Sequence, residues 1–318
     1  MRIVLRAETA NTGLRRHRRA GILDNETFLG YLLLLPTIGI LTVFLAFPFA
    51  YGVVLSTTST EVGDSSLGQF IGFANYVYET AKDGVFRTAF MNTLSYTFWT
   101  TIVKFVLGLS MALLLNQVFP GQRFVRAALL LPWIIPSVLS TLSWRWMFDP
   151  TFSVINWVMN SGMHLPMCHG SSTCVNWLGT PNTAMLSMMI VNIWRGVPFY
   201  GIAFLAGLQT IPVELYEAAR VDGASRMKQF FNITLPMLRP VLLVVILLST
   251  ILTFADFQLP WVLTRGAPYN SSHLLATWAY TMAIPSNYLG IGAAISLFLF
   301  PVLTIVIAVV LLMLRKSD

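Results

Sequence analysis

Long apolar stretches separated by short polar loops are the main feature of this sequence. A helix needs about 20 mostly apolar residues to cross the roughly 30 Å hydrocarbon layer of a bilayer. The stretches lack the strict alternation of barrel strands, so they are typical of membrane-spanning helices. We therefore predict an all-α polytopic membrane protein, with a tail at 1–27 and a transmembrane domain at 28–318. Its six spans are residues 28–55, 89–115, 127–147, 184–208, 241–262 and 291–314.

Composition supports this class and excludes others. Of the 318 residues, 56% are hydrophobic and 10% are charged, whereas soluble globular domains carry about 25% charged residues. This difference excludes a water-soluble enzyme, a disordered chain and a nucleic-acid-binding domain. The formal net charge of +7 then indicates cationic segments that flank a bilayer and contact lipid headgroups, rather than a nucleic-acid partner.

Lysine and arginine are concentrated on one side of the predicted membrane. The loops of the opposite side contain only Lys82, Arg87 and Arg265, and most of the others lie in the tail, the two remaining loops and the C-terminus. Because basic residues favour the cytoplasmic side, we predict that both termini are cytoplasmic. The first apolar run exceeds the about 7–15 residues of a signal-peptide core, so we interpret it as an uncleaved span.

Two cysteines, Cys168 and Cys174, lie in the outer loop 148–183, close to His164 and His169. An oxidising compartment makes a disulfide between the cysteines the favoured interpretation. Plain loop residues are the second alternative, and a zinc site is the third because Cys and His are zinc ligands. The spacing matches no zinc pattern, so we expect no metal.

The sequence lacks the catalytic motifs that would indicate an enzyme. None of the four lysines follows a glycine, which excludes a Gly-Lys-Ser/Thr phosphate loop. Neither a Gly-x-Ser-x-Gly elbow nor a His-Glu-x-x-His helix occurs. The histidines lie in the tail or in outer loops, so no buried histidine relay is available. We therefore expect a non-catalytic protein.

The inner loop 209–240 is the most organised loop. Pro212 suits the first turn of a helix, and Gly223 suits its C-terminal stop. A second helix over 225–233 is expected to end before Pro236 and Pro240. In this arrangement of helix, bend and helix, we expect the neighbouring helices to contact Tyr216, Ala219 and Phe230. We expect water or a partner to contact Glu217, Arg220 and Asp222. An ordinary amphipathic connector is the alternative.

Three short motifs in this loop carry a resemblance. Glu217-Ala218-Ala219, Asp222-Gly223-Ala224 and Ile233-x-Leu235-Pro236 together resemble the "EAA" signature of permeases of binding-protein-dependent ABC importers. Other similarities favour the sugar branch, and specifically the maltose- or glycerol-phosphate-type first permease, without the large outer domain of the enteric maltose permease. They are Asn92-Thr93-Leu94, Leu131–Pro136, Trp144–Pro150, Asp256-Phe257 and Thr264-Arg265-Gly266, although Gly266-Ala267-Pro268 replaces the usual Gly-Gly-Pro.

The resemblance implies a set of partners. A second homologous permease, two cytoplasmic ATPases that bind ATP and Mg, and an extracytoplasmic solute-binding protein would surround this chain in the cytoplasmic membrane of a prokaryote. The chain itself would hold no cofactor. Its coupling helix would contact an ATPase through Glu217, Ala218, Ala219, Arg220, Asp222 and Gly223.

The same resemblance implies a substrate pathway, since maltose-type permeases contact solute on corresponding helices. The pathway residues would be Asn192, Arg195, Gly196, Phe199, Ser249, Leu252 and Asp256, joined by Arg145. An aromatic platform beside amide, hydroxyl and carboxylate groups suits a sugar. The alternative is that Arg195–Asp256 or Arg145–Asp149 are ion pairs that only tie helices together. For Lys104, pairing with the second permease and snorkelling outward are both open.

A permease subunit for a sugar or oligosaccharide is the leading hypothesis. Import of an anionic or polyol solute such as glycerol 3-phosphate is the alternative within the fold, because Arg145 and Arg195 suit a phosphate or sulfonate. An ion-gradient-driven secondary transporter is a different class. Such transporters show internal repeats and paired intramembrane acids, whereas no repeat is evident here and Asp256 is the only acid well inside a predicted span.

Overall fold

A computed structural model describes residues 26–162 and 175–315 of the chain. Most of the basic tail, together with His164, Cys168, His169 and Cys174, lies outside these described residues. The helices are α1 (Glu26–Leu41), α2 (Phe47–Ser56), α3 (Ala74–Lys82), α4 (Gly84–Leu115), α5 (Gln122–Ile134), α6 (Ser137–Met147), α7 (Val154–Trp157), α8 (Pro181–Leu208), α9 (Val213–Val221), α10 (Arg226–Gln229), α11 (Leu235–Phe254), α12 (Gln258–Leu263), α13 (Leu275–Ala283), α14 (Leu289–Leu297) and α15 (Leu299–Arg315). Within the described ranges, β structure is limited to one antiparallel bridge between Thr58 and Phe70.

The chain divides into two compact units, Met1–Tyr51 and Gly52–Asp318. In the first unit, α1 continues through a π-helical segment, Thr42–Ala46, into α2. This segment ends two residues before Pro48, and local π-helical adjustments can satisfy the backbone groups that a proline leaves free in a membrane helix. The boundary falls within α2, and the second unit contains all helices from α3 onward.

The described residues contain five or six candidate spans, against the six that the sequence predicts. Five helical segments are long and apolar enough to cross a membrane, and α5 and α6 give a sixth if this bent pair forms one span. The third span is not the continuous helix that the sequence predicts over 127–147, because α5 and α6 meet at 91°. Pro136 lacks an N–H and disfavours a helical residue before it. Ile135 accordingly adopts extended angles, with φ −63° and ψ 130°.

The fifth span also differs from its predicted bounds of 241–262. The helix starts at Arg226, passes Pro236 and Pro240, and ends at Phe254. A π-helical segment, Phe230–Thr234, precedes Pro236, and its wider hydrogen-bond spacing accommodates the missing proline donor. The predicted interruption at these prolines is therefore wrong.

Helices α4 and α8 form the most extensive helix pair of the described chain. They approach closely at Gly108, where an added Cβ would lie 2.3 Å from the Cβ of Tyr200 and 3.2 Å from the backbone N of Gly201. Tyr200 and Phe204 are fully buried in the hydrophobic cluster that joins α4, α8 and α11. This contact fixes the relative position of the two helices that carry Lys104 and Asn192.

The loop that precedes α13 and the helix α3 bury ionisable groups outside the spans. His273 is almost fully buried against the ring of Trp278, and burial lowers the pKa of His273 to about 4. Glu79 is fully buried, and this burial, with the nearby Asp83 carboxylate, raises the pKa of Glu79 to about 8. Asp83 in turn accepts a 2.9 Å hydrogen bond from the indole N–H of Trp278.

Because burial lowers the pKa of His273, we expect this residue to make the free energy of unfolding decrease in acid. A histidine has a pKa of about 6.5 in the unfolded chain, so between pH 6.5 and 4 the unfolded state binds the extra proton and stability falls as pH falls. The loss expected from His273 between pH 7.5 and pH 5 is about 2 kcal/mol. Glu79 acts with the opposite sign, because acidification towards pH 5 favours its protonated native form.

Comparing the wild-type chain with His273→Gln separates the two groups, since Glu79 is present in both. When the pH changes from 7.5 to 5, the thermal unfolding midpoint of the wild type in detergent should shift towards lower temperature relative to that of the variant. Equal acid sensitivity of the two proteins would contradict the assignment to His273.

Candidate functional site

A cavity of about 340 Å³ opens among α4, α8, α11 and the break between α5 and α6. The non-helical backbone at Ile135 and Pro136 forms part of its wall. Within a membrane, such backbone is tolerated where it lines a cavity or is buried in protein. The lining residues are Lys104, Trp133, Ile134, Ile135, Pro136, Ser137, Asn192, Arg195, Gly196, Phe199, Ser249, Leu252 and Thr253.

Helical periodicity explains the contribution of α8. Asn192, Arg195, Gly196 and Phe199 follow the spacing i, i+3, i+4, i+7, which places them on one face of a helix. All four line the cavity. The sequence-based expectation that these residues come together therefore agrees with the geometry.

Helix α11 presents a second polar face. Ser249, Leu252 and Thr253 have the same spacing and line the cavity. Asp256 lies just beyond the end of α11 and adjoins the cavity without being one of its lining residues. One of its carboxylate oxygens accepts a 3.3 Å hydrogen bond from the N–H of Leu259, in the first turn of α12.

A buried polar network connects the helices behind this wall. Lys104 Nζ donates to Asn192 Oδ1 at 2.9 Å and to Thr253 Oγ1 at 2.8 Å. Asp256 Oδ2 accepts from Asn192 Nδ2 at 3.4 Å and pairs with Arg195 Nη2 at 3.5 Å. The Arg195–Asp256 ion pair, which is the alternative interpretation of these residues, is therefore present, and it lies at the cavity. Within the part of the chain that the structure describes, no group of three or more His, Cys, Asp or Glu side chains has the arrangement of a metal site.

Lys104 is the main residue that sequence reasoning left out of the site. Only 2% of its surface is exposed, so within this chain it neither snorkels outward nor awaits a partner. Its aliphatic stem covers Gly196, where an added Cβ would lie 2.4 Å from Lys104 Cδ. A lone lysine in an apolar span, together with a glycine on the facing polar stripe of α8, was the available signal.

Two aromatic rings form one side of the cavity. The rings of Trp133 and Phe199 stack with centroids 5.0 Å apart and an interplanar angle of 20°. Trp133 is held at the end of α5, immediately before the break at Pro136. The pair offers an apolar surface beside the polar network.

Arg145 lies apart from the lining residues. It is exposed on α6 and donates to the carbonyl of Val262 at 3.4 Å, which links α6 to α12. The carboxylate of Asp149 accepts from the backbone N–H groups of Thr151 and Phe152, so these contacts replace the suggested Arg145–Asp149 pair.

Helix α9 forms a separate, exposed site at the far end of α8. Its C-terminus is a Schellman motif, in which the N–H of Ala224 donates to Ala219 O at 2.8 Å and that of Gly223 to Arg220 O at 3.1 Å. Gly223 has a φ of +75°, in the left-handed region that favours glycine. The predicted helix and glycine bend are therefore present.

The two faces of α9 have different environments. On one face of α9, Tyr216 packs against the hydrophobic cluster of α4, α8 and α11, and its hydroxyl lies 2.9 Å from Thr234 Oγ1. Phe230, in the π-helical segment before α11, packs against the same cluster. These contacts hold the helix against the spans. Ala219 is half-buried, whereas the other predicted coupling residues are exposed, namely Glu217, Ala218, Arg220, Asp222 and Gly223.

The chain is similar in sequence and in fold to known transport proteins. Residues 104–316 match the sequence model of the family described as "Binding-protein-dependent transport system inner membrane component". The chain is 35% identical to the trehalose/maltose transport system permease protein MalF of Thermococcus litoralis, over 86% of this chain and 90% of that protein. It is 33% identical to the sulfoquinovosyl glycerol transport system permease protein SmoG of Agrobacterium fabrum, over 92% of each. A solved chain of a bacterial ABC transporter that imports the acidic polysaccharide alginate has a TM-score of 0.76 and 25% identity, covering 91% of this chain and 96% of that one.

Proposed function

The chain belongs to the family of binding-protein-dependent transport system inner membrane components, and from this membership we propose that its cavity is part of the path by which a sugar or oligosaccharide crosses the membrane. The protein is a permease subunit of an ABC importer, a transport component. The relatives that import trehalose or maltose and sulfoquinovosyl glycerol support a saccharide as the solute.

The observation that carries this proposal is the composition of the cavity wall. The stacked rings of Trp133 and Phe199 provide apolar surface for the faces of a sugar ring. The amide of Asn192 and the hydroxyls of Ser249 and Thr253 provide hydrogen-bonding groups beside it. Ligand sites commonly combine aromatic walls with a few placed polar groups.

The power for transport is proposed to come from partner subunits. Two cytoplasmic ATPases would bind ATP and Mg, and one of them would contact the exposed face of α9 through Glu217, Ala218 and Asp222. A second permease would complete the pathway, and an extracytoplasmic binding protein would deliver the solute. The assembly would lie in the cytoplasmic membrane of a prokaryote, with both termini of this chain inside, as the distribution of basic residues supports.

Replacing Phe199 with alanine tests the sugar path. We expect the saccharide concentration for half-maximal stimulation of ATP hydrolysis to rise roughly tenfold, because the variant removes one ring from the apolar wall. The measurement is a screen of saccharides for stimulation of the reconstituted complex, followed by titration of the active solute.

Phe98→Ala is the matched control, since Phe98 lies on α4 with 59% of its surface exposed and does not line the cavity. It should leave the titration unchanged. The sugar proposal fails if no saccharide stimulates hydrolysis, and the assignment of the wall fails if both variants behave alike.

A further inference from the structure

The hydrogen bonds of Lys104 determine which atoms the polar wall offers to a solute. Asn192 Oδ1 and Thr253 Oγ1 both accept from Lys104 Nζ. A lysine ammonium has only donors. Lys104 therefore keeps one of its three donors, and Asn192, which already donates one N–H to Asp256, keeps the other.

Both carboxylate oxygens of Asp256 already accept hydrogen bonds from the protein. Asp256 Oδ2 accepts from Asn192 and Arg195, and Asp256 Oδ1 accepts from the N–H of Leu259. Asp256 is 8% exposed and does not line the cavity. The polar network therefore lines the cavity with the N–H groups of Lys104, Asn192 and Arg195, and its hydroxyls are those of Ser249 and Thr253.

The charged side chains of the cavity also favour an anionic ligand. Two cationic side chains, Lys104 and Arg195, belong to the lining, and a single carboxylate, that of Asp256, lies behind it. Interactions between charges strengthen where water is excluded, and 2% exposure of Lys104 shows that little solvent reaches its side chain.

We propose that this cavity binds the acidic group of a saccharide, a carboxylate or a sulfonate, and that Lys104 is the residue that selects it. A neutral sugar hydroxyl carries no charge to pair with the basic side chains of Lys104 and Arg195. A carboxylate or sulfonate only accepts, and its bonds to cationic donors are the stronger kind. This inference rests on the proposed saccharide pathway and narrows the class of solute.

Direct binding to the purified importer complex, without the binding protein, tests the inference. Isothermal titration would compare uronic-acid oligosaccharides with their neutral parents, for example cellobiouronic acid with cellobiose. We expect the acidic member to bind at least roughly tenfold more tightly, as loss of one charged hydrogen bond would predict. The preference should disappear in Lys104→Met and persist in Lys104→Arg.

Two further variants separate selection from structure. Gly196→Ala keeps the lysine but displaces its stem, because the new Cβ would lie 2.4 Å from Lys104 Cδ, and it should reduce the preference. Lys82→Met, on the exposed end of α3, should leave the preference intact. Thermal midpoints close to that of the wild type establish that the variants are folded.

The outcomes distinguish this inference from the broader function. Equal or tighter binding of the neutral sugars, or an acidic preference that survives in folded Lys104→Met, would overturn the inference and leave sugar import intact. Failure of every saccharide, acidic or neutral, to bind or to stimulate ATP hydrolysis would overturn both.

Discussion

Replacing Glu217 with lysine is expected to lower solute-stimulated ATP hydrolysis at least roughly tenfold, while the affinity for the binding protein stays unchanged. Glu217 is exposed on α9, whose other side is fixed to the spans by Tyr216. A hydrogen bond to a charged group contributes about 1.5–3 kcal/mol, and charge reversal would also place lysine against the partner's donor. The measurement is ATP hydrolysis by the complex in vesicles, with and without loaded binding protein.

Glu214→Lys provides the control for this prediction. Glu214 is also exposed and lies one turn earlier on α9, but it is outside the Glu217–Gly223 motif. The same change of charge at Glu214 should alter stimulation by no more than about twofold, since a charge in the first turn contributes only about 0.3–1 kcal/mol to helix stability. Undiminished stimulation in the Glu217 variant would remove the coupling role from α9.

Gly108→Ala is expected to destabilise the transmembrane domain by about 2 kcal/mol or more. The new Cβ would lie 2.3 Å from Tyr200 Cβ and 3.2 Å from the backbone N of Gly201. These atoms belong to α8 close to its backbone, so the strain can be relieved only by moving the two helices apart. Overpacking of a close contact typically costs about 1–3 kcal/mol. The thermal unfolding midpoint of the chain in detergent measures the effect.

Gly84→Ala is the matched control because it makes the same substitution in the same helix. An added Cβ at Gly84 meets no atom within 4 Å, and alanine has the higher helix propensity. Its midpoint should equal or slightly exceed that of the wild type. If both variants melted alike, close packing at Gly108 would not be what joins α4 and α8.

Helical periodicity made much of the site predictable. The cavity-lining positions of α8, from Asn192 to Phe199, recur at the spacing of one helix face, and those of α11 from Ser249 onward do the same. Because both faces carry polar side chains within apolar spans, we expect them to be turned towards protein or a cavity. The Gly223 bend was equally predictable, since a left-handed residue after a short helix favours glycine.

Other features depend on tertiary contacts that no local pattern encodes. The sequence predicts one continuous third span, yet the helix breaks at Pro136; elsewhere Pro236 and Pro240 are contained within a helical span. Proline alone therefore does not determine a break, because a π-helical segment or neighbouring groups can compensate for its missing donor. The sequence leaves the contacts of Lys104 undecided for a similar reason. Lys104 donates hydrogen bonds to Asn192 and Thr253, which lie on helices distant in sequence.

A partner ATPase is proposed to move this chain by contacting α9. A photo-crosslinking amino acid at Val221, which is 89% exposed at the end of α9, tests this most directly in the assembled complex. Tyr269, 93% exposed in the loop between α12 and α13, provides the comparison position on the opposite side of the predicted membrane. We expect the probe at Val221 to crosslink to the ATPase subunit and the probe at Tyr269 not to. Crosslinking of Val221 only to lipid or to the binding protein, or of Tyr269 to the ATPase, would contradict the account.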